Sequence, residues 1–262
     1  MNKFNNHTFV VCAYKESEFL EECIKSLENQ TIKSNIIMIT STPNNYIKEI
    51  AQKHSIELYI NEGEKGIGQD WNFGVSKTLT KYVTIAHQDD IYNSLYLEEI
   101  VKKIKEGKEF VIAFGDYREI KNNTVIPLTK NLKIKKILLS RLRKNGGKKG
   151  AKNFALKFGS AICCPCVTIN TEIVGKTPYK TNLKCDLDWE TWYEFSKLDY
   201  DFLYINKELM MHRIHEESET SNLIKNNVRL EEDLFMLKKY WPEPIAKAIM
   251  KLYKNAVKTN QM

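Results

Sequence analysis

Short apolar runs alternate with amphipathic stretches over the first 116 residues, and this rhythm constrains the fold more than any other feature. Thr8-Phe-Val-Val-Cys-Ala-Tyr14, Ile36-Ile-Met-Ile-Thr40, Ile56-Glu-Leu-Tyr-Ile60, Tyr82-Val-Thr-Ile-Ala86 and Phe110-Val-Ile-Ala-Phe114 are rich in β-branched and aromatic residues. They are too short for buried helices and are predicted to be strands. Between them, Phe19, Leu20, Cys23, Ile24 and Leu27 recur at helical spacing, as do Tyr46, Ile47, Ile50 and Ala51, and later Leu95, Leu97, Ile100, Val101 and Ile104. Ser17 is predicted to cap the first of these helices. Thr42 followed by Pro43 is predicted to open the second. A loop marked by Gly63, Gly66 and Gly68 leads into a third helix at Asp70. Such alternation predicts an α/β domain with a mostly parallel sheet covered by helices on both faces.

In open α/β sheets, ligands bind beyond the carboxyl ends of the strands. The fourth run ends there in His87-Gln88-Asp89-Asp90. Adjacent carboxylates repel, so a site that keeps both ionised usually shares a cation between them. The competing reading is a solvated turn with an Asp helix cap. Downstream, Lys184-Cys-Asp186-Leu-Asp188-Trp189-Glu190-Thr-Trp192 begins acidic and turns aromatic. The aromatic side chains there read as core. A carboxylate held against such rings gains proton affinity and can serve as a base. His212 and His215 lie three residues apart, although isolated histidines are more often satisfied structural groups than ligands.

Composition narrows the classes. Hydrophobic residues make up 42% and charged residues 28%, which fits a soluble globular chain. Met1 to His7 is polar, unlike the apolar core of a signal peptide, and no run reaches the roughly 20 apolar residues of a membrane span. Six cysteines include Cys163, Cys164 and Cys166 in one tight cluster. No second Cys/His pair follows at zinc-finger spacing, so free thiols in a reducing cytoplasm are expected. The net charge of +7 is concentrated: residues 120–171 hold twelve Lys or Arg and no acidic residue. That block suggests an anionic partner. Within it Leu132, Ile134, Ile137, Leu138 and Leu142 predict an amphipathic helix over 130–158, broken at Gly146-Gly147. Its polar face is either solvated or set on an anionic membrane surface. With Phe154 and Phe158 as its only aromatics, the block does not suit nucleic acid. Asn122-Asn123 predicts a hairpin turn; Cys166–Asn170 and Phe202–Ile205 predict further strands, and Asn226–Trp241 and Pro244–Lys258 predict two tail helices.

Taken in order, these pieces resemble the family-two inverting glycosyltransferases. Val10-Val-Cys-Ala-Tyr14-Lys-Glu16 with Phe19 to Thr31 is similar to the family's opening strand and helix. Asp70-Trp71-Asn72-Phe73-Gly74, His87-Gln88-Asp89-Asp90, Asp188-Trp189-Glu190-Thr191-Trp192 and Arg213-Ile-His215-Glu-Glu-Ser218 resemble four later motifs. The resemblance covers most of residues 8–220. It implies a GT-A, Rossmann-like fold in residues 1–220, with a nucleotide-sugar-binding half (1–116) and an acceptor and catalytic half (117–220), followed by a helical extension (221–262). Ala13, Tyr14, Glu16, Ser41, Thr42, Asp70, Asn72, His87, Gln88 and Asp90 would surround the donor. Asp89 would bind a divalent cation, Mn2+ or Mg2+, with Asp90 orienting it and His215 completing the coordination or contacting phosphate. Asp188 would be the general base, with Asp186 as the fallback, and Trp189 and Glu190 would meet the acceptor.

Three positions depart from the family pattern. Thr40-Ser41-Thr42 stands where uracil-recognising Asp residues are common, and His87 and Leu187 each replace an acidic residue. The function implied is metal-assisted sugar transfer from a nucleotide-sugar to a saccharide or lipid-linked saccharide, in surface-polysaccharide synthesis, cytoplasmic and peripheral on the inner membrane face. A sugar-phosphate nucleotidyltransferase is the nearest alternative, but the chain lacks the long Gly-rich, basic loop that such enzymes place after the first strand. A non-catalytic anion-binding module is the other.

Overall fold

The computed structural model describes residues 3–215 and 228–259. Its first part alternates as the sequence predicts: β1 (Lys3–Cys12), α1 (Leu20–Glu28), β2 (Lys33–Thr40), α2 (Asn45–Lys53), β3 (Glu57–Ile60), α3 (Ile67–Ser76) and β4 (Tyr82–His87). Then come β5 (Ile91–Tyr92), α4 (Tyr96–Lys105), β6 (Phe110–Lys121) and β7 (Thr124–Val125). The basic segment forms α5 (Lys130–Leu139), α6 (Leu142–Asn145) and α7 (Lys149–Leu156). It is three helices, not one interrupted helix. The chain continues through β8 (Val167–Asn170), α8 (Thr171–Val174), α9 (Leu187–Phe195), β9 (Asp201–Arg213), α10 (Val228–Lys238) and α11 (Glu243–Thr259). Glu216, Glu217, Ser218 and Asn226, which belong to predicted features, lie outside the described residues.

The sheet order is β3-β2-β1-β4-β8-β6-β9-β5, with β7 paired to β6. The first four strands are parallel neighbours. β8 then enters antiparallel between β4 and β6, because the chain returns from the α5–α7 excursion in the opposite direction. β9 runs parallel to β6, and β5 closes that edge antiparallel. Helices cover both faces, and alternation along β1 assigns the faces. Phe9 and Val11 pack with Leu20, Ile24, Ile47 and Ile100, from α1, α2 and α4. Val10 packs with Trp71, Val75, Leu156, Trp189, Trp192, Met236 and Leu237, from α3, α7, α9 and α10.

Local chemistry explains the ends of the elements. Asn122 and Asn123 both adopt positive φ, as a tight hairpin between β6 and β7 requires. Asn44, not Thr42, caps α2, accepting the Ile47 N–H at 2.9 Å. Ser17 does not cap α1; its carbonyl accepts the Leu20 N–H in a preceding turn at 3.2 Å. α3 starts three residues earlier than expected, at Ile67, because Gly66 supplies a φ of +146° at its N-cap. Among the described residues, no helix is long and apolar enough to cross a membrane.

Candidate active site

Parallel pairing sets the floor of the site. Cys12 of β1 is in register with Ile39 of β2 and with His87 of β4, so three carboxyl ends open side by side. Ala13 is buried there and donates its N–H to the Ile39 carbonyl at 2.9 Å. The next turn is pinned from both sides. Gln88 accepts the Tyr14 N–H at 2.9 Å and donates to the Tyr14 carbonyl at 3.0 Å, while the Thr42 hydroxyl accepts the Lys15 N–H at 2.7 Å. Glu16 is exposed on the same turn. Asp70 links the ends of β2 and β3, accepting from the Ser41 hydroxyl and from the Asn61 amide, both at 2.7 Å. Asn72 is differently employed from the expected donor contact. Its amide bonds the Tyr179 carbonyl and N–H at 2.9 and 2.8 Å, anchoring the segment before α9. Beside Asn61 and Asn72 lies an open cavity of about 350 Å³, also lined by Glu64, Gln69 and Thr181.

Beyond β4 the predicted acidic station is assembled. His87, Asp89 and Asp90 present donor atoms that lie within 4.8 Å of one another. The His87 ring stacks on Trp71 at 5.2 Å, and its buried Nε2 has no hydrogen-bond partner among the described residues. Burial lowers the proton affinity of His87, outweighing the opposing charges of Asp90 and Asp89. Asp90 is fully buried. Its Oδ1 accepts from His212 Nδ1 at 2.9 Å and the Arg213 N–H at 3.0 Å, and its Oδ2 is unpartnered. His215 Nε2 donates to Asp89 Oδ2 at 2.9 Å, so His215 stands behind Asp89. Burial alone would raise the Asp89 pKa; the bond from His215 and the nearby His87 and His212 bring it below the ordinary value. The β5–β9 pairing explains how residues 212–215, so distant in sequence, arrive here.

The second station is the start of α9. Asp188 is half-buried in the first turn, its Oδ1 accepting the Trp189 N–H at 2.6 Å and its Oδ2 the Ser160 hydroxyl at 3.3 Å. Burial raises its proton affinity despite these bonds. Asp186 is more deeply buried, and burial together with the charges of Asp233 and Asp188 pushes its pKa far up. The half-buried Cys163 thiol is pushed well above its ordinary pKa by burial, with the charges of Asp90 and Asp188 adding to the rise. Trp189 and Glu190 are not positioned to meet an acceptor. Trp189 is fully buried with Nε1 donating to the Leu156 carbonyl at 2.9 Å, and Glu190 is buried in an ion pair with Lys239 at 2.9 Å. Helical geometry turns both inward, while Asp188 stays half-buried beside Ser160.

Sequence reasoning gave no role to Ser160, Asn61 or His212, and none to Glu232 and Asp233 on α10. The Asn61 signal was present, as a polar residue directly after an apolar strand; the others pair across separations that leave no spacing pattern. All six cysteines are free, with Cys23, Cys164 and Cys166 buried and Cys12, Cys163 and Cys185 half-buried. They form no metal-holding group among the described residues.

Comparison with known proteins agrees with this architecture. The family described as Glycosyl transferase family 2 matches residues 8–170. An uncharacterised glycosyltransferase of Methanocaldococcus jannaschii is 27% identical over 240 residues, covering 88% of this chain and 78% of that protein. The mannosyltransferase PcManGT of Pyrobaculum calidifontis, solved with GDP-Man and Mn2+, superposes with a TM-score of 0.66 at 13% identity, covering 95% of this chain and 70% of that one. TarS residues 1–349 of S. aureus, solved with UDP-GlcNAc, superpose with a TM-score of 0.64 at 14% identity, covering 93% and 70%. The fold is that of GT-A glycosyltransferases.

Proposed function

The chain belongs to glycosyl transferase family 2, and from that premise we propose that it is an inverting enzyme that moves a sugar from a nucleotide-diphosphate-sugar to a saccharide or lipid-linked saccharide in surface-polysaccharide synthesis. The observation that supports this reading best is the group beyond β4, where His87, Asp89 and Asp90 present donor atoms within 4.8 Å of one another at the carboxyl end of a parallel strand. The donor would lie along the carboxyl ends of β1, β2 and β4. There the Tyr14–Gln88 clamp fixes the turn, and Ser41, Asp70 and Asn61 offer a polar receptor for the base.

The donor set fits a divalent cation, because the buried His87 Nε2 and Asp90 Oδ2 have no partner among the described residues. Asp89 and His87 would hold the ion, Asp90 and His215 would orient them, and the ion would neutralise charge on the departing diphosphate. Asp188 takes the proton of the attacking acceptor hydroxyl. Ser160 and the Trp189 N–H hold its carboxylate in place, and burial raises its affinity for that proton. The attack comes from the face opposite the leaving group and inverts the anomeric centre. We place the donor half in residues 1–116 and the acceptor half in 117–220. The exposed basic face of α5–α7 would rest on an anionic membrane surface at the cytoplasmic side.

A thermal-shift panel of UDP-, GDP-, CDP- and dTDP-sugars, each with and without Mn2+ or Mg2+, tests the class. Stabilisation by one donor class, dependent on metal, is expected. Asp89→Asn should lose that metal dependence. Asp188→Asn should keep it and lose turnover by about 100-fold or more. Metal-dependent binding that survives in Asp89→Asn, or full turnover in Asp188→Asn, would remove the corresponding assignment.

A further inference from the structure

The start of α9 carries the proposed base, yet its own cap is missing. Asp186 occupies the N-cap position and makes no capping bond with its side chain. Just ahead of the helix, the loop amides are gathered by a side chain of another helix. Glu232 on α10 accepts the Lys184 N–H on Oε1 at 2.9 Å, and the Cys185 and Asp186 N–H groups on Oε2 at 2.7 and 3.1 Å. Three successive amides aimed at one carboxylate form an anion nest. A negative group at this place also suits the positive end of α9.

α10 is itself firmly seated. Met236 and Leu237 are fully buried in the core that holds Trp189 and Trp192. Lys239 pairs with Glu190, and Trp241 Nε1 donates to the Lys157 carbonyl at 2.7 Å. The neighbouring Asp233 lies against Asp186; burial raises both pKa values, and Arg229 opposes the rise. One rigid helix thus grips the loop two to four residues ahead of Asp188, in a part of the chain that the family match does not reach.

We propose that Glu232 is a positioning residue for sugar transfer, gathering the amides of residues 184–186 so that the first turn of α9 holds Asp188 toward the acceptor. This rests on the reading of Asp188 as the base. Loss of the clamp leaves the donor floor untouched, since among the described residues no side chain of α10 hydrogen-bonds the ends of β1, β2 or β4. It frees the direction of one carboxylate. The expected signature is therefore a loss confined to the chemical step.

The test uses the full-length chain as wild type, Glu232→Gln, Glu232→Ala and Asp188→Asn. Three quantities are measured: amide hydrogen exchange at residues 184–186, affinity for UDP and GDP with Mn2+, and nucleoside diphosphate release from UDP-, GDP-, CDP- and dTDP-sugars. Glu232→Gln should speed exchange at those amides and leave nucleotide affinity within about twofold, while kcat falls by about 10- to 100-fold, the usual loss when an outer-shell partner is removed. Should Glu232→Ala fail to fold, the isosteric Gln variant decides. Wild-type turnover in Glu232→Gln overturns the clamp, and so does a fall in nucleotide affinity proportional to the fall in turnover. An inactive Asp188→Asn beside a fully active Glu232→Gln removes the clamp alone. A fully active Asp188→Asn, or no release by wild type from any donor, removes the underlying reading and the clamp with it.

Discussion

Arg213 holds together pieces that are remote in sequence. Its backbone N–H bonds Asp90, its Nε bonds the Asp89 carbonyl at 3.0 Å, and Nη1 reaches Asn123 at 2.7 Å. Nη2 pairs with Glu22, and the guanidinium lies 4.2 Å from the Phe19 ring. With 2% of the residue exposed, it has no recourse to water. Arg213→Ala should therefore destabilise the fold by about 1–3 kcal/mol, because it removes the buried donor shared by the Asp89 carbonyl, Asn123 and Glu22. Arg213→Lys should restore only part of this, since a point charge cannot replace a planar fork. Urea denaturation measures both, and an alanine variant as stable as wild type would refute the tether. At this scale the sequence reveals residues whose chemistry is local. Asp89 and Asp90 stand out because a strand ends at them, and Asp188 because acidic and aromatic residues adjoin. Glu232 is silent, since the amides it bonds lie 46 to 48 residues away. Trp189 and Glu190 misled because proximity in sequence to Asp188 says nothing about which side of α9 they occupy.

Elements were easier to read than their neighbours in space. The β-rich runs mark β1 to β4 and the start of β6, and period-3.6 patterning marks α1, α2 and α4. Nothing local announces that β8 inserts between β4 and β6, or that β6 continues through Gly115-Asp116 to Lys121. Those outcomes depend on long-range pairing. The fit of α3 onto β1 shows how closely elements approach near the site. A Cβ on Gly74 would meet Val10 Cγ1 at 2.5 Å, far inside contact distance. Gly74→Ala should therefore push α3 off the sheet and cost about 1–3 kcal/mol. Because Asp70 and Trp71 ride on the same helix, a metal-dependent thermal shift with nucleotide should shrink in parallel. An Ala variant with an unchanged melting midpoint would mean that the helix relaxes freely.

Charge is the property that only the whole molecule explains. The basic block looked uniform in sequence, but folding divides it. Lys135 turns inward to the Tyr117 hydroxyl at 3.0 Å, Lys136 pairs with Asp116 and Glu208, Lys152 is buried, and Arg141 stacks on Phe154 at 3.7 Å. Lys130, Lys133, Lys144, Lys148 and Lys149 stay exposed, and α5 carries Lys130 and Lys133 together with Ile134 and Ile137, which are 56% and 63% exposed. Exposed isoleucines with lysines on the same helix suit a lipid interface, each nearby cation adding about 1 kcal/mol on an anionic bilayer. Ile134→Asp with Ile137→Asp should abolish cosedimentation with phosphatidylglycerol vesicles, while Lys135→Ala should not. Equal sedimentation of wild type and the double variant would leave this face merely solvated.

The same sheet contains a consequence for acid tolerance. His7 is wholly buried on β1, bonded to Ser34 at 2.7 Å and to Thr84 at 2.9 Å, and burial pushes its pKa from 6.5 down to about 3. The folded protein refuses a proton that the unfolded chain accepts readily. Hydrogen ions thus act as a ligand of the unfolded state: the contribution of His7 is complete above pH 6.5 and drains away as pH falls toward 3. An inner strand of the sheet is in this way tied to the neutrality of its surroundings.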